Sequence, residues 1–323
     1  MSIKIGELSL THGLCLAPMA GFGDRAMRKT CKQYGAEYVT TEMVSAKAVT
    51  YKDKKTFELC KIESDEAPCA LQLFGCEPNI VAEAAEMLEY GYGGGVAPVA
   101  IDINMGCPVP KIVGNGEGSA LMKNPSLVYD IVRATARAVH IPVTVKIRAG
   151  FDESHINACE VALAAEEAGA SLVCVHGRTK TQMYSGKADR NIIADVKKCL
   201  HVPVIANGDV TDARSALEMI EQTGCDGIAI GRGAIGNPFV FAEIASALEG
   251  KEYTPPTQSE KIDVALHQLA LAIEDKGERV AVAESRKQIA EYIKGMSGAA
   301  AVRAKINAAQ SYAEVVGIVN AIR

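Results

Sequence analysis

The stretch AIDINMGCP, residues 100–108, joins a strand to a reactive side chain. Ile101 and Ile103 alternate with polar residues, as in a β-strand, and the chain then enters a tight turn of Met-Gly-Cys-Pro. Pro108 stiffens the backbone behind Cys107. The pattern predicts a thiol just beyond the carboxyl end of a strand, where it can meet a ligand. Most free cysteines only fill apolar space, so the segment alone leaves both interpretations open.

Similar short apolar runs recur on both sides of this stretch, with helical stretches between them. The helical stretches include residues 79–90, 125–140, 153–168 and 211–223. Eight strand–helix alternations in about 240 residues predict an α/β fold of the TIM (β/α)8 barrel type, whereas a doubly wound sheet normally uses fewer strands. The predicted strands are residues 14–17, 38–41, 70–74, 100–104, 143–147, 172–176, 204–207 and 227–230.

Nearly every predicted strand ends in a polar or reactive residue. Because the carboxyl ends of barrel strands meet at one face, these residues should converge on one mouth and form a ligand site. A single polar strand end often only caps the next helix, but capping does not account for a series of eight. The strand ends are Pro18-Met19-Ala20, Glu42-Met43, Gln72, Asn104 to Cys107, Lys146 to Arg148, His176 to Arg178, Asn207 to Asp209 and Gly231 to Gly233.

The last two strand ends favour an anionic ligand group. The seventh and eighth turns of a barrel often hold a phosphate, and Gly208 and Gly231 permit close approach of the backbone. Arg232 adds a fixed charge with a bidentate fork. Residues 231–236 also fit G-x-G-x-x-G, but no βαβ unit follows before the Pro-rich break at residues 254–257, which argues against a Rossmann fold.

Lys146 and His176 follow on strands five and six and should face the same mouth. A cation on strand five fits beside a delocalised anion such as a reduced flavin ring, and Gln72 offers one donor and one acceptor to a ring edge. These requirements fit flavin mononucleotide (FMN) better than a sugar phosphate.

Composition narrows the class of protein. The chain has 323 residues, a net charge of −5, ten cysteines and six histidines. The cysteines form no C-x-x-C pair and no signal peptide precedes them, so we expect reduced thiols in a cytoplasmic protein. The histidines show no metal-ligand spacing, and no apolar run is long enough for a membrane span. We therefore expect no metal and no membrane partner. We also expect a monomer, although no sequence pattern indicates the oligomeric state.

The pattern changes after Gly250, where residues 254–257 read as a linker and the rest as helix. Helical spacing covers residues 261–276, 280–294 and 299 to the end, so we expect a barrel domain over residues 1–250 and a helical domain over residues 251–323. The second part carries a net charge of about +1 against −6 for the first. Five basic residues lie in its middle part, and a run of this kind usually forms only the solvated face of a helix. They are Arg286, Lys287, Lys294, Arg303 and Lys305.

Taken together, these motifs resemble the tRNA-dihydrouridine synthases, most closely their bacterial B-type branch. The match runs over nearly the whole chain in the family's order, although the loop at residues 91–98 is longer and richer in glycine than expected. The matching segments are residues 17–21, 71–73, 101–108, 145–148, 176–179, 206–209, 230–232 and 286–295.

This resemblance implies reduction of the uracil C5–C6 double bond in tRNA, with hydride from reduced FMN to C6 and NADPH as the electron source. Cys107 is then the general acid that protonates C5, which an ordinary thiol with a pKa of about 8.5 can do near neutral pH. Asn104 and Arg178 would bind the target uridine. The basic helices with Arg286, Lys287 and Lys294 would bind the tRNA body. FMN would be held by Pro18, Met19, Ala20, Gln72, Lys146, His176, Asn207, Gly208, Asp209, Gly231 and Arg232.

Two other functions stay open. A small-molecule flavin barrel of the dihydroorotate dehydrogenase kind shares the fold and the ene reduction, but it leaves the basic helices unexplained. A tRNA-binding protein without activity has no need of Cys107, Lys146 and Arg232. The sequence does not identify the uridine that is reduced.

Overall fold

A computed structural model describes residues 3–92 and 95–323 of the chain. The first described element is an antiparallel hairpin of β1 (Ile3–Ile5) and β2 (Leu8–Leu10). Its apolar side chains pack into a cluster with the first residues of several barrel strands, including Ala70 and Ala100. The hairpin thereby closes the amino-terminal end of the barrel. The glycine-rich loop at residues 91–98 lies partly outside the described residues.

The rest of the β-structure forms one main sheet and a second small hairpin. These strands are β3 (Leu14–Leu16), β4 (Tyr38–Thr40), β5 (Val44–Ser45), β6 (Cys69–Phe74), β7 (Ala100–Asn104), β8 (Val143–Arg148), β9 (Gly150–Asp152), β10 (His155–Ile156), β11 (Leu172–His176), β12 (Val204–Asn207) and β13 (Gly227–Ile230). Within the described residues, eight parallel strands close into a barrel, because β4 pairs with both β3 and β6. All eight predicted strands are confirmed to within one residue at each end.

Helices cover the outside of the barrel and continue beyond it. They are α1 (Arg25–Gln33), α2 (Ala46–Thr50), α3 (Lys54–Cys60), α4 (Pro78–Leu88), α5 (Pro110–Gly114), α6 (Pro125–Ala138), α7 (Ala158–Ala168), α8 (Arg190–Cys199), α9 (Ala213–Thr223), α10 (Val240–Leu248), α11 (Gln258–Lys276), α12 (Glu278–Tyr292), α13 (Ala299–Ala308) and α14 (Tyr312–Asn320). Local sequence explains their ends: α6 starts with proline behind the cap Asn124, and α7 stops at left-handed Gly169.

Two helix predictions are wrong in part. The helix predicted over residues 153–168 begins at Ala158, because β9 and β10 form a hairpin around an Asp152 side chain that accepts from the Ser154 amide. The helix predicted from residue 299 to the end divides into α13 and α14, because Ser311 caps a new helix by accepting from the Glu314 amide.

The chain beyond Gly250 is helical, and its helices share an apolar cluster that includes Leu269, Ile289 and Ile306. These helices pack against the barrel at α1, where Lys276 donates to the Asp24 carboxylate (2.7 Å). In residues 3–92 and 95–323, no helix has the length and apolar character needed to cross a membrane.

Candidate active site

A cavity of about 580 Å³ opens at the carboxyl ends of the barrel strands. Its volume lies in the range of small-molecule and cofactor sites. Strand register explains which side chains it collects, because inward-facing residues of neighbouring parallel strands lie abreast. Asn104 of β7 is level with Lys146 of β8, and Arg148 of β8 is level with His176 of β11, which is level with Asn207 of β12.

The thiol turn forms one wall of this cavity. The Asn104 side-chain oxygen accepts from the backbone amides of Gly106 (3.2 Å) and Cys107 (2.8 Å), so the asparagine closes the turn that its own strand enters. Cys107 is 8% exposed. Burial raises the pKa of the Cys107 thiol, although the Val109 amide opposes the shift. The thiol is therefore protonated at neutral pH and can donate a proton.

Arg148 holds the same turn from the opposite side. Its Nε donates to the Gly106 carbonyl (2.7 Å), and its Nη1 donates to the carbonyls of Thr179 (2.9 Å) and Met183 (3.0 Å). The side chain therefore ties the thiol turn to the loop after β11. Burial lowers the pKa of Arg148 to about 10, so the guanidinium stays charged at neutral pH.

The turns after β12 and β13 form the opposite wall. Gly208 has a φ of +127°, and a Cβ there would lie 2.6 Å from the Cβ of Ala188. Asp209 adopts the left-handed region with φ 56°, a strained conformation that is uncommon for a residue with a side chain. Its carboxylate fixes the Arg178 guanidinium (2.8 Å) and lies 3.8 Å from that of Arg232. This wall presents glycine backbone and the half-exposed Arg232 side chain to the cavity.

The charge of the cavity is strongly positive. Lys146, Arg148, Arg178 and Arg232 line it, and Asp209 is the only carboxylate in the described lining. Burial lowers the pKa of Lys146, whose ammonium donates to the Asn207 side chain (3.0 Å). Such a cavity is suited to an anionic ligand.

Comparison with known proteins identifies the family. The family model described as dihydrouridine synthase (Dus) matches residues 15–322. The chain belongs to the dihydrouridine synthase family. It is 41% identical over 307 residues to a probable tRNA-dihydrouridine synthase of Rickettsia conorii, covering 94% of this chain and 91% of that protein. It is 38% identical over 310 residues to tRNA-dihydrouridine synthase B of Pseudomonas aeruginosa, covering 95% of this chain and 92% of that protein.

A solved structure with the same barrel architecture is histamine dehydrogenase from Rhizobium sp. 4-9. The alignment has a TM-score of 0.58 and 14% identity, and it covers 89% of this chain and 50% of that chain. At this identity the likeness concerns the fold. It agrees with the predicted TIM barrel, and the family match confirms the predicted resemblance.

The structure brings most of the predicted site residues together. The cavity lining contains Cys107, Asn104, Arg178 and all the residues predicted to hold FMN, which are Pro18, Met19, Ala20, Gln72, Lys146, His176, Asn207, Gly208, Asp209, Gly231 and Arg232. Arg286, Lys287 and Lys294 lie apart from it, on α12 and directly after it. Arg286 is half-buried and donates to the Ala309 carbonyl (2.7 Å), so it ties α12 to the end of α13.

Sequence reasoning left the cavity residues Arg148 and Tyr184 without a role. Arg148 follows Lys146 at a spacing of two, so the strand alternation that turns Lys146 inward also turns Arg148 inward. Tyr184 gave no such signal, because it lies in an irregular loop. Its ring stacks 4.7 Å from the Arg232 guanidinium.

The His176 ring provides a test of this electrostatic environment. Burial, followed by the charges of Lys146 and Arg148, lowers the pKa of His176 to about 2, because each of these disfavours a second positive charge. We expect the His176 ring nitrogens to show no titration between pH 5 and 8 in ¹⁵N NMR spectra, with a His176→Gln variant assigning the signal. Lys146→Met should raise the pKa. A wild-type midpoint near the ordinary value of about 6.5 would contradict this environment.

Proposed function

We propose that the chain is an FMN-dependent tRNA-dihydrouridine synthase that reduces the C5–C6 double bond of uridines in tRNA with NADPH as electron donor. The observation that carries the proposal is a buried, protonated Cys107 thiol in a cation-rich cavity at the barrel mouth. Family membership supports the reaction, and the names of the Rickettsia and Pseudomonas relatives support tRNA as the substrate.

The residues of the cavity fit FMN. Arg232 and the glycine backbone at Gly208 and Gly231 are suited to its phosphate, and Gly231 also leaves open space, since a Cβ there would meet nothing closer than 3.7 Å. Lys146 is suited to the ring, because a partly buried ammonium held by Asn207 favours a neighbouring anion.

A reduced flavin bound by these residues would supply hydride-transfer chemistry toward uracil C6. The protein's own part is the proton that C5 then requires, and the Cys107 thiol provides it. Burial keeps the proton on sulfur until it is needed, and the charges of Arg148 and Lys146 stabilise the thiolate that is left. Cys107 is thus a general acid, unlike the activated thiolates of nucleophilic enzymes.

The uridine has to leave its stack to reach a cavity of this kind. Arg178 is suited to contact it, because its Nη1 has no hydrogen-bond partner among the described residues. Asn104 also lines the cavity, but its oxygen is engaged by the thiol turn and its amide by Gln72. We therefore assign Arg178 to direct contact with the uridine, and Asn104 to contact through its remaining amide hydrogen.

Residues 251–323 are proposed as the tRNA-binding domain and residues 1–250 as the catalytic domain. Lys287 and Lys294 are exposed, as are Arg303 and Lys305 farther along. The Gln288 side chain donates to the carbonyl of Phe22 (3.1 Å), which lines the cavity, so the basic helix α12 lies beside the barrel mouth. We expect the protein to act as a cytoplasmic monomer.

The reaction is tested by nucleoside mass spectrometry of unmodified tRNA incubated with the protein, FMN and NADPH. We expect uridine to gain the mass of two hydrogen atoms. Cys107→Ala should lower the rate by at least about 100-fold, because general acid catalysis typically contributes that much. Cys225→Ala, which removes a buried thiol outside the cavity, is the matched control.

Two outcomes would contradict the proposal. Equal rates for Cys107→Ala and Cys225→Ala would exclude Cys107 as the acid. Turnover of free pyrimidines, with tRNA uridines left unchanged, would favour the small-molecule flavin barrel instead.

The RNA-binding assignment predicts a charge effect that depends on salt. Lys287→Glu combined with Lys294→Glu should weaken tRNA binding at least about ten-fold and reduce the slope of log K against log salt by about 2, because each lysine is expected to contact one phosphate. Filter binding at several salt concentrations measures both. Charge reversal at exposed Lys198 and Arg214 on the barrel is the control. Equal losses in the two double variants would contradict a specific role for the C-terminal helices.

A further inference from the structure

A line of buried hydrogen bonds runs beneath the cavity and ends at the thiol turn. It begins at Asp102, whose Oδ1 accepts from the Thr144 hydroxyl (2.6 Å) and whose Oδ2 accepts from the Gln72 amide (2.6 Å). The Gln72 oxygen accepts from the Asn104 amide (2.9 Å). The Asn104 oxygen in turn accepts from the backbone of the thiol turn, as described above.

Strand register creates this line. Gln72 of β6, Asp102 of β7 and Thr144 of β8 lie abreast in the parallel sheet, and Asn104 is the next inward residue along β7. Gln72 and Thr144 are each 1% exposed, and Asp102 is 5% exposed. At this depth a polar group left without a hydrogen-bond partner is costly.

The two ends fix the direction of every bond between them. The Asp102 oxygen that faces Gln72 accepts, and the backbone amides at the thiol turn only donate. Gln72 therefore has to present its NH2 group to Asp102 and its oxygen to Asn104. Asn104 then has to present its NH2 group to Gln72 and its oxygen to the turn. Reversal of either amide would set two donors or two acceptors against each other.

We propose that Asp102 is a positioning residue for Cys107, which acts through Gln72 and Asn104 by fixing the orientation of both amides. Asp102 is absent from the described lining of the large cavity and borders only a cavity of about 20 Å³ beneath it, so it does not touch the reactants. The proposal rests on the proposed function insofar as the positioned thiol is the general acid.

The charge state of Asp102 does not alter the direction. Burial raises the pKa of Asp102, whereas the hydrogen bonds from Thr144 and Gln72 and the charge of Lys146 oppose the rise. A proton on Oδ1 would point to the Thr144 hydroxyl, which accepts as well as donates. Oδ2 accepts from Gln72 in either protonation state. The hydrogen bonds from Gln72 to the Cys107 turn therefore keep the same direction.

Two substitutions of similar shape separate the hydrogen bond from the packing. Asp102→Asn keeps an oxygen that accepts from Gln72, while its new NH2 group donates to the Thr144 hydroxyl. Asp102→Leu fills the same space but offers no acceptor, so Gln72 and Asn104 lose their fixed orientation. The asparagine variant should therefore keep the conformation of the thiol turn, whereas in the leucine variant the turn should become mobile and expose Cys107.

Alkylation of the protein with iodoacetamide, followed by peptide mass spectrometry, measures how accessible the Cys107 thiol is in each variant. We expect Cys107 to react about ten-fold faster in Asp102→Leu and within about two-fold of wild type in Asp102→Asn. Buried Cys31 in α1 and half-exposed Cys199 in α8 serve as internal references, whose rates should not change. If Asp102→Leu does not fold, Asp102→Ala takes its place with the same expectation.

Three results would overturn the proposal. One is an unchanged Cys107 rate in the leucine or alanine variant. Another is a parallel acceleration at Cys31, which would indicate general loosening of the fold. The third is an asparagine variant as reactive as the leucine variant, which would mean that charge rather than hydrogen-bond direction matters.

Turnover separates this proposal from the proposed function. In the dihydrouridine assay, Asp102→Leu should lower kcat about ten-fold and leave KM for tRNA unchanged, because Asp102 acts on the acid and not on RNA binding. Asp102→Asn should keep kcat close to the wild-type value. A wild-type protein without dihydrouridine activity would contradict the proposed function, while the alkylation rates would still decide the role of Asp102. Loss of kcat in both variants alike would overturn the positioning role.

Discussion

The register of three neighbouring parallel strands is the constraint on which the site depends. Pairing of β6, β7 and β8 sets Gln72, Asp102 and Thr144 in one row and places Asn104 level with Lys146. A shift by one residue would turn these side chains out of the barrel, because side chains alternate along a strand. The closed barrel excludes such a shift, since each of the eight barrel strands in the described residues has two partners. The thiol turn, the Lys146 ammonium and the buried Asp102 carboxylate therefore occupy fixed relative positions before any ligand binds.

This fixed arrangement has an electrostatic consequence. The barrel mouth concentrates positive charge at Lys146, Arg148, Arg178 and Arg232, yet two titratable groups among them stay uncharged at neutral pH. His176 stays neutral because burial and its cationic neighbours disfavour another proton, and Cys107 stays protonated because burial disfavours its thiolate. A site with fixed cations and one protonated acid is prepared to accept an anion and to supply a proton. It does not depend on rearrangement of charge during the reaction.

The sequence predicted the barrel well because its strands are short apolar runs bounded by turn residues, so each is recognisable locally. It also predicted most of the cavity, since polar residues at strand ends meet at one face of a barrel. It failed where tertiary context decides: the β9–β10 hairpin replaced a helix start, and Ser311 divided the last helix. The buried hydrogen bonds of Asp102 and the stacking contact of Tyr184 were missed for a related reason. Their partners, Gln72 and Arg232, lie far away in the chain, and a single sequence does not encode such pairings.

In the proposed function, one barrel mouth brings the cofactor phosphate and the acid thiol together around a uracil. A crystal structure of the protein with FMN and a uridine-containing RNA fragment tests it most directly. We expect the phosphate to lie against Gly208, Gly231 and Arg232, and the Cys107 sulfur to lie about 3.5 Å from uracil C5, the separation typical of reacting atoms. A phosphate bound elsewhere, or a Cys107 side chain directed away from the uracil, would contradict it.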